Sequence, residues 1–457
     1  MGDLFSSLSM AARSLEAQRF GLDVTGQNIA NVNTPGYARR VIDFAAVPPT
    51  DASSAGGGVD AVGVRAARDM LLEGRMQQEV PFEQRERAVA EVLSIVEVAL
   101  GKPGASIDAA MNGFFDAFAN LSSNPNSAVT RQEVLLQGEA VAGAFRDMAG
   151  RISLSSRDTD AQVRGAIDEI TQLAAQIAKL NDSMGSTSAA SGGSLHLQDE
   201  QSELVRKLAG LLDIDVLPRE GGGVDVTFGN GRALVVGERA YPITTTQVAG
   251  VSRVMSGGFD LTAEISGGQL GGFLYARDVL LPAYAADLDT VAFELAEEVN
   301  ALHAAGVGGD GGTGRNFFTP IAVTAGAAAA LTVDVTMAAN SQLVAAAGPG
   351  APVGDNAAAR DIAALRNVRV VGGTATLADA WGQLVYRVAR DSRAARDGQR
   401  SREEIVNQVD QLRDQVSGIS LDEEAMHLMK FQRAYEANAR FFRAIDQALD
   451  TLMQMTR

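Results

Sequence analysis

The chain of 457 residues contains no cysteine, which rules out disulfides and thiolate metal sites alike. That sets no limit on compartment, since an exported protein can do without both. Aromatic residues are scarce, at 5%, while 46% of the chain is hydrophobic. Cores must therefore be built from Ala, Val, Leu and Ile, a composition suited to helical bundles and rods. Positive charge is also short. Lysine occurs only at 102, 179, 207 and 430, and the net charge is −17. A nucleic-acid partner needs a basic face, so none is expected. Long apolar runs are missing too. Met1–Ala12 has no uninterrupted apolar stretch of the kind a cleaved secretory signal requires. Ala325–Leu331 is too short to span a membrane, so no membrane partner is expected.

Catalytic patterns are equally absent. The histidines, His196, His303 and His427, lie far apart and lack metalloprotease spacing. Glu297-Glu298 and Glu423-Glu424 are paired carboxylates, but neighbours on a helix face different ways. Gly306–Gly311 spells G-x-G-x-x-G. A dinucleotide site needs that motif after a strand and opening a helix, whereas here it follows a helical pattern and reads as a loop. No serine sits in a nucleophile elbow. The chain is therefore read as a non-enzyme with no catalytic, cofactor or metal site.

What the chain does have is patterned ends. Leu421, Leu428, Tyr435, Phe442 and Leu449 recur every seven residues. Glu424, Phe431, Asn438, Ile445 and Leu452 form a second row three places on. Two such rows make the seam of a coiled coil. At the other end Leu8, Leu15, Leu22 and Ile29 keep the same interval. An isolated amphipathic helix is marginal in water, so each end needs a partner. The reading is that the two ends pair and everything between them is an insertion. Asn438 is the polar member of the C-terminal seam. It either fixes register as a buried amide or faces solvent. Ser420-Leu421-Asp422-Glu423 reads as a capping box.

Between the ends the period changes twice. Residues 38–64 read as an extended connector or hairpin, and 65–212 as helices, with Pro81 marking a break or a new start. Glycine-rich 185–194 reads as a loop. Residues 213–266 alternate with strand period around Gly221–Gly223 and Gly229–Gly231. A long helix follows from about 273 to 305, then Ala/Gly-rich sequence with a strand at Leu331–Val335, then a helix over 376–416. The expected fold is mainly α. Residues 1–37 and 420–457 form a terminal coiled-coil domain. Residues 38–212, 267–316 and 376–419 form a helical rod. Residues 213–266 and 317–375 form an inserted β-rich outer domain with its own core, dispensable for assembly.

The turn after the first helix carries more than a helix stop. Ala30-Asn31-x-x-Thr34-Pro35-Gly36-Tyr37, placed after a leucine heptad, resembles the signature of the bacterial flagellar rod, hook and hook-associated proteins. Leu421-Asp422-Glu423-Glu424-Ala425 and Phe431-Gln432-Arg433-Ala434-Tyr435-Glu436-Ala437-Asn438 look like the end these proteins share. Gly267-Gly268-Gln269-Leu270-Gly271-Gly272, Arg277-Asp278, Asn300, His303 and Phe317-Phe318 are similar to the hook-associated members. So are Gly113-Phe114-Phe115, Asn124-Pro125 and Arg131-Gln132. The resemblance covers about three-quarters of the chain and fades across roughly 220–260 and 320–375. It implies a structural subunit at the hook–filament junction that assembles with itself into a ring-like zone through its terminal helices. It implies hook protein and a second junction protein as neighbours, and an export chaperone at the C-terminal region. It also implies a location outside the cell, reached without signal cleavage. The assembly residues it points to are Leu8, Leu15, Leu22, Ile29, Asn31, Pro35, Gly36 and Tyr37. With them go Leu421, Leu428, Phe431, Tyr435, Asn438, Phe442, Ile445, Leu449 and Leu452. The alternatives are a hook or rod subunit of the same family, or an adhesin whose binding part is the β insert on a helical stalk.

Overall fold

The computed structural model describes residues 2–48, 57–101, 107–186 and 192–455. Helix α1 (Gly2–Ala30) opens the chain, and the hairpin of β1 (Arg40–Ala46) and β2 (Val59–Ala66) follows. Next come α2 (Met70–Leu100), α3 (Ile107–Ser123), α4 (Ala128–Ser186) and α5 (Gly192–Leu211). Asp69 caps α2 by accepting from Leu71 N and Leu72 N. Pro81 lies inside α2 without ending it, contrary to the expected break. Residues 187–191 of the glycine-rich loop at 185–194 fall outside the described residues.

Two small antiparallel meanders come next. One is β3 (Ile214–Pro218), β4 (Val224–Phe228), β5 (Arg232–Val236) and β6 (Arg239–Ala240). The other is β7 (Thr244–Val248), β8 (Val251–Ser256) and β9 (Phe259–Asp260). Helix α6 (Gly268–Tyr275) runs through one π turn at Ala276–Leu280 into α7 (Leu281–Ala305). Beyond β10 (Val307–Gly308) lie α8 (Ala327–Ala330), α9 (Val335–Ala339), β11 (Ala345–Ala347) and α10 (Ala357–Ala364). The chain ends with α11 (Leu377–Ser417) and α12 (Leu421–Met455).

The rod is held by the stripes its sequence displays. Val89, Val92, Leu93 and Val96 of α2 are buried, as are Phe114, Phe115 and Phe118 of α3. The rows Val163, Ile170, Ile177 and Ala166, Leu173, Leu180 of α4, and Leu281, Leu288, Leu295 of α7, are buried in the same continuous core. The glycine block that opens α6 has a packing reason. A Cβ on Gly268 would lie 2.3 Å from the Leu211 backbone, and one on Gly272 would lie 2.5 Å from Arg85 O. Only hydrogen lets these backbones meet.

The inserted β-rich domain differs from expectation in two ways. First, the meanders have no separate core. Val226, Phe228, Leu234, Val235 and Val254 belong to one cluster with the helices. A two- to four-stranded sheet with one apolar face must lay it on something, and here that is α4. Thr171 Oγ1 donates to Ile243 O (3.1 Å), and Asn181 Nδ2 donates to Val224 O (2.8 Å) and Gly237 O (2.6 Å). Arg277, turned inward at the π turn and fully buried, donates to Asp160 (2.7 Å) and Ser252 O (2.9 Å). Asp160 also accepts from Ser252 N and Oγ, both at 2.8 Å. These hydrogen bonds and Arg277 hold the Asp160 carboxyl below its usual pKa against the cost of burial.

Second, residues 317–375 do not continue the β region. They plate the rod with loops and short helices. Phe317 and Phe318 stack on Phe114 at 5.4 and 5.6 Å. Asn300 exchanges two hydrogen bonds with the Phe318 backbone (3.0 and 2.8 Å). Asp289 caps α8 by accepting from Gly326 N and Ala328 N. The expected strand at Leu331–Val335 makes one bridge, Phe318 to Val333, because Asp334 caps α9 and stops it. Arg131 is buried and donates to Val344 O and to Pro125 O.

Candidate assembly site

α1 and α12 run antiparallel, with Asn28 beside Glu424 and Gly21 beside Phe431. The covered residues of α1 are small: Ala11, Ala17, Gly21, Val24, Thr25 and Asn28. Gly21 shows why. A Cβ there would lie 2.8 Å from the Phe431 ring. Phe44 of β1 meets the same ring at 6.1 Å, so the hairpin buttresses the pair.

A polar knot closes the base of this pair. Asn28 uses its whole amide. Nδ2 donates to Arg40 O (3.0 Å) and Glu424 Oε2 (3.1 Å), while Oδ1 accepts from Arg40 N (2.9 Å) and the Tyr37 hydroxyl (3.0 Å). A buried amide with all its sites paired accepts one alignment of its partners. Glu424 is 2% exposed on a helix otherwise mostly open, and its Oε1 accepts from Arg39 Nε (2.8 Å). Arg39 also reaches Glu423 at 3.0 Å, and its backbone N donates to Ser417 O. Arg40 lies 4.9 Å over the Tyr37 ring and pairs with Asp199 of α5, as does Arg68. Burial raises the Tyr37 pKa, so the phenol stays a hydrogen-bond donor. The knot thus fixes α1 to α12 and both to the rod.

The residues expected at this site divide by position. Ile445 is buried in the pair, and Leu428, Phe431, Phe442 and Leu449 are half-buried. Leu8, Leu15, Leu22 and Ile29 are also only half-buried, because the small-residue face, not the leucine row, meets α12. Leu421, Tyr435 and Leu452 are exposed. Asn438 is half-buried, and no side-chain hydrogen bond involves it among the described residues. Asn31 and Thr34 bond each other at 3.1 Å. With Pro35 and Tyr37 they line a groove of about 460 Å³ that faces His196 and Lys207 of α5. Gly36 sits in the turn that the Tyr37 N to Thr34 O bond closes. The capping box at Ser420 is half made: Glu423 N lies 3.5 Å from Ser420 Oγ, while the Glu423 carboxylate turns to Arg39.

Asn28, Arg39, Arg40 and Asp199 escape the sequence reading. The signal available is the row Ser14, Gly21 and Asn28, seven apart and without a large apolar residue. A search for hydrophobic seams passes over it.

Elsewhere the singled-out residues have structural roles. His303 is buried, with Nε2 accepting from Ala345 N (2.9 Å) and Nδ1 lying 2.7 Å from Arg315 O, so the ring is neutral with its proton on Nδ1. Burial lowers its pKa to about 4. The glycine-rich loop after α7 is tied by Asp310 to Arg315 at 2.8 Å.

Three family profiles match the chain. The helical domain of flagellar hook-associated protein FlgK matches residues 93–318. The flagella basal body rod protein profile matches 8–37, and the C-terminal profile of flagellar basal body rod FlgEFG proteins matches 411–455. The chain is 26% identical to flagellar hook-associated protein 1 of Bacillus subtilis strain 168, covering 99% of this chain and 98% of that one. It is 23% identical to the protein of the same name from Salmonella typhimurium strain LT2, covering 98% and 100%. The solved structure of the flagellar hook junction protein FlgK from Burkholderia pseudomallei superposes with a TM-score of 0.68 at 16% identity. That match covers 75% of this chain and all of the other, and it speaks for the fold.

Proposed function

The chain belongs to the hook-associated protein 1 family of flagellar junction proteins, and from that premise we propose that its paired terminal helices join hook to filament. It is a structural subunit of the bacterial flagellum, and the family is one of structural proteins. The terminal profiles are shared with rod proteins, so the helical middle distinguishes it from a rod or hook subunit.

One observation carries the role of the termini. The rod buries its apolar stripes, whereas α12 buries Ile445 and leaves Leu421, Met426, Met429, Tyr435, Phe441, Leu452, Met453 and Met455 exposed. Large apolar side chains left open in this number mark an interaction site. Neighbouring copies of this chain cover it, in a ring-like zone between hook protein and a second junction protein. Heterologous contacts between identical subunits build such rings and helices. Before assembly the same helix is open to an export chaperone. The subunit reaches the outside of the cell without signal cleavage. Electron microscopy of cells lacking this protein tests the reading. Hooks without filaments are expected, and cells without hooks would make it a rod or hook subunit.

A further inference from the structure

Of the thirteen methionines, five are buried in the rod and four of the most exposed lie on one helix, while Met70, 67% exposed, opens α2. Met76, Met111, Met148, Met184 and Met337 are buried in the rod, none more than 5% exposed. Met426, Met429, Met453 and Met455 all lie on α12 and are 59, 50, 67 and 79% exposed. Met426, Met429 and Met455 lie outside the covered side of that helix, which carries Glu424, Leu428, Phe431, Phe442, Ile445 and Leu449; Met453, four residues after Leu449, continues that side but is exposed. With no cysteine in the chain, thioethers are its soft nucleophiles, and the accessible ones are concentrated where the chain needs apolar cover.

We propose that Met426, Met429, Met453 and Met455 form an oxidation-sensitive modification site whose reactant is a peroxide. The proposal rests on the reading that neighbouring copies cover the open face of α12. In the reaction a sulfur lone pair attacks a peroxide oxygen and the O–O bond breaks. The S–O bond forms, and the second oxygen leaves as water after proton transfer. The sulfur is oxidised by two electrons and the peroxide is reduced by two. The product sulfoxide is polar and accepts hydrogen bonds, so it turns a flexible apolar contact into one that resists burial. Oxidised subunits fail to seat, and seated subunits shield their methionines.

The test uses the purified full-length protein, treated with graded hydrogen peroxide and then with catalase. Peptide mass spectrometry reads the sites. Addition to cells lacking the protein, which carry bare hooks, reads seating as a count of filaments. The comparison variant is M426L/M429L/M453L/M455L, which has no sulfur at these positions; it is read as the ratio of its peroxide-treated count to its own untreated count. The four α12 methionines are expected to oxidise before Met76, Met111 and Met337. Filament counts for oxidised wild type are expected to fall by at least about tenfold, with recovery after methionine sulfoxide reductase. The leucine variant keeps its count through peroxide. Fully oxidised wild type that restores filaments at the untreated count would overturn the proposal and leave the junction reading intact. Equal loss in the leucine variant would overturn it as well. Untreated protein that restores no filaments would remove the junction reading and the proposal together.

Discussion

Glu424 is the residue through which the two chain ends are registered. Its carboxylate pairs Arg39 and Asn28, so Glu424→Ala leaves two donors without their acceptor inside the knot. Removing one partner of a buried pair costs about 3–5 kcal/mol at full burial, and about 2–4 kcal/mol here because Arg39 keeps some access to water. Hydrogen exchange of α1 and α12 amides should quicken by that amount, while α4 stays protected. Asn438→Leu should leave the same exchange unchanged, because that amide makes no side-chain hydrogen bond among the described residues. Protection that drops for Asn438→Leu and holds for Glu424→Ala would reverse the two roles. The contrast shows what sequence reveals at this scale. Both asparagines are polar residues on apolar helices. What separates them is whether a loop from elsewhere delivers partners, and the hairpin that delivers Arg39 and Arg40 lies outside any helical period. His303 gives a second residue-scale prediction. Its folded pKa is about 4 against 6.5 in the unfolded chain. Between those values the unfolded state binds more protons. The contribution is therefore complete above pH 6.5 and is lost as pH falls toward 4, by about 3 kcal/mol. Urea midpoints of wild type and His303→Gln should converge across that window. A constant difference between them from pH 7 to pH 4 would contradict the assignment.

At the scale of elements, the β meanders are the informative case. Strands at 214–256 were legible from the change of period and the glycine turns, but the surface they cover was not. Alternation says that a strand has one apolar face. It does not say what lies on that face, and α4 is long enough to serve the rod and the meanders at once. Residues 317–375 were misread for a related reason. Ala- and Gly-rich sequence carries little periodicity, and the partners that organise it, Asn300 and Asp289 of α7 and Arg131 of α4, come from helices far away in the sequence. Because the meanders share the rod core, deleting 214–260 with a short linker should expose the Val163/Ile170/Ile177 face of α4. The product is expected to aggregate or to be digested within α4 by trace protease. A soluble, cooperatively melting rod after that deletion would show that the β layer is separable. Asp160→Ala is the milder version. It removes one of the two carboxylates on the buried Arg277, which keeps Asp278, and leaves Ser252 N without its acceptor, costing about 1–3 kcal/mol, and should raise exchange in β8 before the rest of the rod.

The whole molecule is a covered rod with an uncovered end. Its rod helices were legible because their apolar rows are long, regular and satisfied inside the chain. The end was legible as a pattern, but the period does not say which row meets the partner helix: the leucine row of α1 flanks the pair that the small residues make. That geometry yields the central claim: the pair is built on one face, and the flanking rows are left for neighbouring subunits. The direct measurement is electron microscopy of cells whose only copy carries Leu8→Asn, Leu15→Asn and Leu22→Asn together, with the melting curve of the purified variant beside it. The expected result is a rod that melts as wild type does, a variant released into the medium, and hooks that carry no filaments. Filaments attached at wild-type number would contradict the claim.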